Sequence, residues 1–257
     1  MPLPTPSQQK EPKILLWDIE TSMMNVGTFS LYPESIGHQN IIDDWYIISA
    51  AWKFLGKPKI YSVCGVDDPK RYKRDIRDDY HVVKTIRDVL DDVDIIIGHN
   101  QNKFDIKKFK ARLIFHQLPP LPKLIHSVDT LKEVKKIAAF SSNRLDYLTT
   151  HLCGQGKMQT SSGLWLKVMQ GDKTAHAEMV KYNKIDVVRL EELYLRLLPY
   201  LESHPHVGAI AGNDRDKTCP KCGSISQKIK GHRYSASGIR RVQVQCCKCH
   251  SYHTYAQ

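Results

Sequence analysis

From residue 13 to residue 202 the sequence alternates short apolar runs with amphipathic stretches of helical period, a pattern that points to an α/β domain. Ile14 to Trp17 is continuously apolar, and the run through Ile19 suits a central strand buried on both faces. Tyr46 to Phe54 and Lys59 to Val63 read as neighbouring strands joined by a turn at Gly56-Lys57-Pro58. A fourth strand is predicted at Val93 to Ile97 and a short fifth near Ile125 to Val128; helical patterns cover 81–91, 105–117, 130–138, 144–153 and 173–198. One mixed sheet flanked by helices is the expected result. With 257 residues, 41% of them hydrophobic, the chain can bury one sizeable core and still carry a small second module.

The ends differ from the middle. Residues 1–12 form a proline-rich arm (Pro2, Pro4, Pro6) that is expected to be disordered. A break at Ser203-His204-Pro205-His206, after a helix stopped by Pro199 and Pro205, separates the main domain (13–204) from a tail (205–257). The start lacks the apolar stretch of a signal peptide, and no run approaches the roughly 20 apolar residues of a membrane span. A cytoplasmic location with no membrane partner is therefore expected. The formal charge is +11, and Lys and Arg exceed Asp and Glu by seven in the tail against four in the rest. Such a balance favours a polyanionic partner, although a merely basic surface gives the same count.

Three acidic positions stand out. Asp18 and Glu20 close the first apolar run two residues apart, so the strand period points both carboxylates to one face, and two adjacent anions call for a cation. Alone, the motif reads more readily as a Glu20 that lies just past the strand in solvent. The second position is Asp105 in Gly98-His99-Asn100-Gln101-Asn102-Lys103-Phe104-Asp105; by itself it reads as a helix N-cap, and His99 as a hydrogen-bonded loop histidine. The third is Asp186. Met179, Tyr182, Asp186, Leu190, Leu193 and Leu197 recur at three- and four-residue spacing, so Asp186 interrupts an otherwise apolar stripe. A carboxylate there costs several kcal/mol of desolvation unless a cation, a donor or a proton compensates. Tyr182 could be a core aromatic bonding that acid.

Taken in order, Asp-x-Glu at a strand end, Asn-x-x-x-Phe-Asp after a later strand and Tyr-x-x-x-Asp on a late helix resemble the three motifs of DEDDy exonucleases over roughly residues 13–200. That subgroup includes proofreading domains of family B DNA polymerases and stand-alone DnaQ-like exonucleases; the chain looks most like small stand-alone members of the kind often carried by phages. The resemblance implies a ribonuclease H-like α/β fold with a five-stranded mixed sheet. It also implies two Mg²⁺ or Mn²⁺ ions held by Asp18, Glu20, Asp105 and Asp186. Asp18 would bridge both, Glu20 and Asp186 would hold the first and Asp105 the second. Oxygen-only ligands suit those hard cations. By the same resemblance the Tyr182 hydroxyl orients the attacking water, and Thr21 and Asn100 approach the terminal nucleotide. Asp129, opening Asp129-Thr130-Leu131, is read as a helix N-cap and left outside the site.

Two connections could serve substrate. Phe29 and Tyr32 in the long segment from Ser22 to Asp44, with Trp45 beyond it, could stack on bases or pack in the core. The loop Gly154 to Gly163, with Lys157, could line a groove or merely connect.

Five of the seven cysteines fall in the last 39 residues, while Cys64 and Cys153 stand alone, so metal ligation rather than disulfide bonding is expected. Cys219-Pro220-Lys221-Cys222 and Cys246-Cys247-Lys248-Cys249 form CxxC pairs 23 residues apart, resembling a zinc ribbon. Cys219, Cys222, Cys246 and Cys249 are the expected Zn²⁺ ligands, with Cys247, His250 or His253 as alternatives for the last two. Lys228, Lys230, Arg233, Tyr234, Arg240 and Arg241 lie between the pairs, with Tyr252 and Tyr255 beyond. Cations interleaved with aromatics suit a nucleic-acid strand, or else a solvated surface that contacts protein.

The expected activity is a 3′→5′ exonuclease acting on nucleic acid, DNA favoured over RNA, with a replication or repair protein as a second possible partner. An endonuclease on the same fold, a noncatalytic nucleic-acid-binding protein and a replication-complex recruitment module are the alternatives.

Overall fold

The computed structural model describes residues 10–256 apart from Lys157. Residues 1–9 of the expected arm, and Lys157 of the expected groove loop, lie outside the described residues. Lys10 is tied down through an N–H bond to the Ala211 carbonyl (3.3 Å) and an ion pair with Asp94 (3.0 Å).

The apolar run becomes β1 (Ile14–Thr21), the middle strand of the main sheet. A short antiparallel pair, β2 (Asn25–Val26) and β3 (Ile41–Asp43), follows before β4 (Ile47–Phe54) and β5 (Ile60–Cys64). Two helices, α1 (Pro69–Arg74) and α2 (Tyr80–Leu90), then lead to β6 (Ile95–Gly98), α3 (Asp105–Phe115) and β7 (His126–Asp129). The order β5-β4-β1-β6-β7 is mixed: β4 runs antiparallel to both β5 and β1, whereas β6 is parallel to β1 and β7. Four more helices complete this part, α4 (Thr130–Ile137), α5 (Leu145–Cys153), α6 (Leu164–Met169) and α7 (Lys173–Leu197). The sheet is thus the mixed five-stranded one that the sequence pattern predicts, with helices on both faces.

The two faces of β1 select different helices. Leu15, Trp17 and Ile19 join Val82, Val83, Ile86, Phe109 and Leu113 of α2 and α3. Ile14 and Leu16 join Val187, Leu190, Leu193, Tyr194 and Leu197 of α7. Trp17 meets Phe109 edge-on at 5.7 Å between ring centroids, and its indole N–H donates to Gln101 Oε1 at 2.7 Å. Each such buried side chain is worth roughly 1.5–3 kcal/mol, so register is strongly fixed. A slip of one residue would carry Asp18 into the apolar layer beneath α2 and α3. The even positions 14, 16, 18 and 20 therefore form a line facing α7, apolar at its start and acidic at its end.

Helix α7 starts where Asp172 accepts from the Ala175 N–H at 3.0 Å and runs 25 residues, to just before Pro199. In the last third of the helix, Lys53 pairs with Glu191, which also accepts from the Gly56 N–H at 2.9 Å and so ties α7 to the β4–β5 turn. Beyond α7 come α8 (Val207–Ile210) and a second, three-stranded sheet of β8 (Gln227–Tyr234), β9 (Arg240–Cys246) and β10 (Tyr252–Ala256), in the order β10-β9-β8. Val207, Cys222 and Cys249 pack on the same apolar cluster as Leu197, Leu198 and Leu201. Among the described residues no helix is long and apolar enough to cross a membrane.

Candidate active site and cysteine centre

Asp18, Glu20 and Asp186 meet: each offers a carboxylate oxygen, and these oxygens lie within 4.8 Å of one another. Asp18 and Glu20 arrive from the end of β1, where the register against β4 shifts between Glu20 and Thr21, and Asp186 arrives from the middle of α7. Asp186 is buried, and the other two are partly open. Hard oxygen donors at this separation fit a cation of the Mg²⁺ or Mn²⁺ type better than a thiophilic metal.

Asn183, one helical turn before Asp186, was not singled out from sequence although it bonds directly to the cluster. Fully buried, its amide nitrogen donates to Asp18 Oδ2 at 2.7 Å and to the Asp18 carbonyl at 3.3 Å, while its oxygen accepts from Ser49 Oγ at 3.3 Å. The three contacts fix both the rotamer of Asp18 and the seating of α7 on β1 and β4. Its i−3 spacing from Asp186 was the available signal.

Asp105 is not part of the group formed by the other three acids. It sits at the first position of α3, whose apolar side packs on the sheet face opposite α7, and its Oδ1 accepts from the Ile19 N–H at 3.3 Å, one residue past Asp18. Burial, against the lowering pull of the backbone N–H groups and with a smaller push from the Asp129 charge, leaves its carboxyl raised to about 7. Asp105 therefore sits beside the acid pair of β1 in a place where a neighbouring cation would favour its ionised form.

The loop that delivers Asp105 is held from two sides. Asp129 caps α4 through the N–H groups of Leu131 and Lys132, and also accepts from Asn100 N–H (2.9 Å) and Asn102 N–H (3.0 Å). Gln101, fully buried, threads beneath the loop and donates to the Ile96 and Val128 carbonyls. A Cβ at Gly98 would fall 2.7 Å from the Gln101 Cβ, so only glycine lets this side chain pass. Asn100 adopts φ +70°, which turns its side chain out of the strand line. His99 bonds Thr130 Oγ1 and the Asn143 carbonyl, both at 2.9 Å, which makes it part of the scaffold.

Tyr182 lies one turn before Asp186 on α7, half-buried, and packs edge-on against Trp165 of α6 at 6.0 Å. Thr21 ends β1 opposite Ile47. Phe29 and Tyr32 are exposed to solvent and make no core, whereas Trp45 packs against the α2–α3 layer with the Lys108 ammonium 3.6 Å from its ring.

A second centre lies in the tail. Cys219, Cys222, Cys246 and Cys249 bring their sulfurs within 4.8 Å of one another, with Cys219–Cys249 at 3.6 Å and Cys222–Cys246 at 3.5 Å. Four thiolates arranged tetrahedrally about zinc at ~2.3 Å would stand ~3.8 Å apart, so the set fits that ion. The two knuckles share one backbone pattern. Cys219 N–H donates to the Ser224 carbonyl and Gly223 N–H to the Cys219 carbonyl; Cys246 N–H donates to the Ser251 carbonyl and His250 N–H to the Cys246 carbonyl. Each turn needs a left-handed residue after its second cysteine, supplied by Gly223 (φ +70°) and His250 (φ +61°). Cys247 falls outside the group, its N–H bonded to the Ser226 carbonyl.

Comparison with known proteins bears on the fold. No curated protein matches the chain. Among solved structures, the family B DNA polymerase from the hyperthermophilic archaeon Pyrobaculum calidifontis superposes with a TM-score of 0.51 at 14% identity, covering 88% of this chain and 31% of the polymerase chain. This chain thus corresponds to under a third of that protein's length. A family model described as RNase_H superfamily matches residues 60–198, from β5 to the end of α7. That match takes in more than half of the 257 residues, the buried Asp105 and Asp186 included, and the chain belongs to the RNase_H superfamily.

Proposed function

We propose that the chain is a 3′→5′ exonuclease of the DEDDy pattern that hydrolyses phosphodiester bonds in nucleic acid, DNA in preference to RNA, and releases 5′-mononucleotides with the help of two Mg²⁺ or Mn²⁺ ions. The observation that carries this reading is the convergence of the Asp18, Glu20 and Asp186 carboxylates, from a strand end and a helix, in a superfamily fold. The fold shared with a family B polymerase supports it.

Glu20 and Asp186 would hold one ion with Asp18, and Asp105 would hold a second beside Asp18. Bound there, the ions would neutralise charge on the phosphate oxygens and lower the pKa of water at the site. The protein's own groups do the rest. Asn183 holds Asp18 to one rotamer, so the carboxylate need not be ordered again at each turnover. Tyr182 would place its hydroxyl to orient the attacking water, without having to act as a base itself. The Thr21 backbone and the Asn100 side chain would fix the terminal nucleotide, Asn100 being presented by the loop that Asp129 and Gln101 brace. The tail, 205–257, is assigned as a zinc-ribbon module that holds substrate for the domain formed by 13–204.

Incubating matched 5′-labelled DNA and RNA oligonucleotides with Mg²⁺, Mn²⁺ or EDTA tests the assignment. The expected result is a ladder shortening from the 3′ end, metal-dependent and faster on DNA. Single internal cuts would replace it with an endonuclease, and intact substrate in every metal would leave only a binding protein.

A further inference from the structure

Strand register sorts the tail's cations by face. The pairings Lys228–Gln245–Tyr252, Gly231–Gln243–Thr254 and Arg233–Arg241 run across the three strands, so Lys228, Arg233, Arg241, Gln243, Gln245, Tyr252 and Thr254 share one face. The other face carries Val242, Val244 and the ligand Cys246, all buried, and turns toward the cysteine centre. Arg240 and Arg241 are adjacent in sequence but point to opposite faces. No Asp or Glu occurs from 217 to 257, so no carboxylate within the three-stranded sheet neutralises its cations. The Arg241 guanidinium is already oriented by a bond from its Nε to Thr254 Oγ1 at 3.1 Å.

Position adds a second constraint. The Lys228–Gln245–Tyr252 row lies next to the Gln227–Cys246 pair, at the ligand end of the sheet, and Cys222 and Cys249 pack at the end of α7. From Asp186 to Leu197 is eleven residues of continuous helix, about 17 Å at 1.5 Å per residue. A strand in stacked, duplex-like geometry advances about 3.4 Å per nucleotide and spans that interval with roughly five nucleotides, and an extended single strand spans it with fewer.

We propose that this polar, cationic face is a distal clamp: it grips the sugar-phosphate backbone of a nucleic-acid strand several nucleotides upstream of the end held at the acid cluster. The length dependence rests on the exonuclease reading; the face assignment does not. Lys228, Arg233 and Arg241 take phosphates, Gln243, Gln245 and Thr254 supply hydrogen bonds to backbone or base edges, and Tyr252 offers a stacking surface.

The test uses the full-length, zinc-loaded chain. Binding of a labelled single strand of about 20 nucleotides is followed by anisotropy in a buffer without added Mg²⁺ or Mn²⁺, after verifying zinc content, so that no cleavage intervenes. Arg233→Gln with Arg241→Gln is expected to weaken binding about tenfold and to flatten the salt slope by roughly 1.4, at ~0.7 per lost phosphate contact on a single strand. Arg240→Gln, removing the same charge from the opposite face, should change affinity less than about twofold. Equal losses for Arg240→Gln and Arg241→Gln would overturn the face assignment, as would unchanged binding by the double variant. With Mg²⁺ present, the double variant should slow digestion of the long strand at subsaturating concentration but leave a dinucleotide unaffected; equal slowing of both would overturn the distal placement. Binding that responds as expected in a chain that cleaves nothing would uphold the face and defeat only the exonuclease reading.

Discussion

The contact between Asn183 and Asp18 gives the acid cluster a measurable energy. Asn183→Asp is nearly isosteric but sets a carboxylate oxygen where the amide nitrogen stood, 2.7 Å from Asp18 Oδ2. Two ionised groups that close repel by about 6 kcal/mol at an effective dielectric near 20, more than a proton costs. The folded pair would instead take up a proton, at a cost of about 1.36 kcal/mol per pH unit above the unfolded carboxyl pKa of about 3.9. That gives about 4 kcal/mol at pH 7 and about 1.5 at pH 5. The sign follows from proton counting: between pH 4 and the raised folded pKa the folded variant binds one more proton than the unfolded chain, so its stability falls as pH rises. Urea unfolding of the zinc-loaded wild type and variant without added Mg²⁺ or Mn²⁺, at pH 5 and pH 7, reads the difference directly. A destabilisation by the variant that grows by about 2.7 kcal/mol over that interval is expected; a pH-independent or negligible effect would mean that positions 18 and 183 do not meet in solution.

Three further outcomes are expected. Tyr182→Phe should slow strand cleavage by one to two orders of magnitude while leaving Mn²⁺ affinity unchanged, as read by calorimetry alongside initial rates. Asp79 is fully enclosed with Arg112 (2.7 Å) and His116 (2.5 Å) and accepts the Ile47 N–H; burial alone would raise its pKa, but these partners hold it below the ordinary carboxylate range. Asp79→Asn should therefore cost about 3–5 kcal/mol at neutral pH, and the gap from wild type should narrow progressively as pH falls from about 4, where the unfolded carboxyl protonates, down through the depressed folded pKa. Stripping zinc should open residues 205–257 to protease, since so small a sheet buries little apolar surface without its metal; an unchanged digestion pattern would contradict the structural role of the cysteine centre.

The strands and long helices of the main domain were legible because each buries one or both faces, which leaves period and length in the sequence. Elements with little periodicity were not. Helices α1 and α6 span six residues each, too few to show a helical stripe, although Asp68 and Pro69 form a readable helix start. Phe29 and Tyr32 illustrate a different limit: their composition suited a core or a surface equally, and only tertiary placement leaves them in solvent. Within the site, the carboxylates were visible because charge on an apolar stripe demands explanation. Asn183 and Gln101 were hidden because an amide in such a place costs less and raises no alarm until its partners, Asp18 and the carbonyls of Ile96 and Val128, arrive from distant segments. Asp129 was read as a cap and does cap α4, but its bonds to Asn100 and Asn102 come from 27 to 29 residues away. The choice between Cys246 and Cys247 depended on backbone hydrogen bonds that repeat from one knuckle to the other.

Mn²⁺ titration of the zinc-loaded chain, followed by electron paramagnetic resonance in wild type, Asp18→Asn and Asp186→Asn, tests most directly whether these carboxylates form a metal site. The account predicts saturable Mn²⁺ binding that either substitution weakens by at least an order of magnitude while the unfolding midpoint stays near or above the wild-type value. Mn²⁺ binding that is absent from the wild type, or unaltered in both variants, would contradict it.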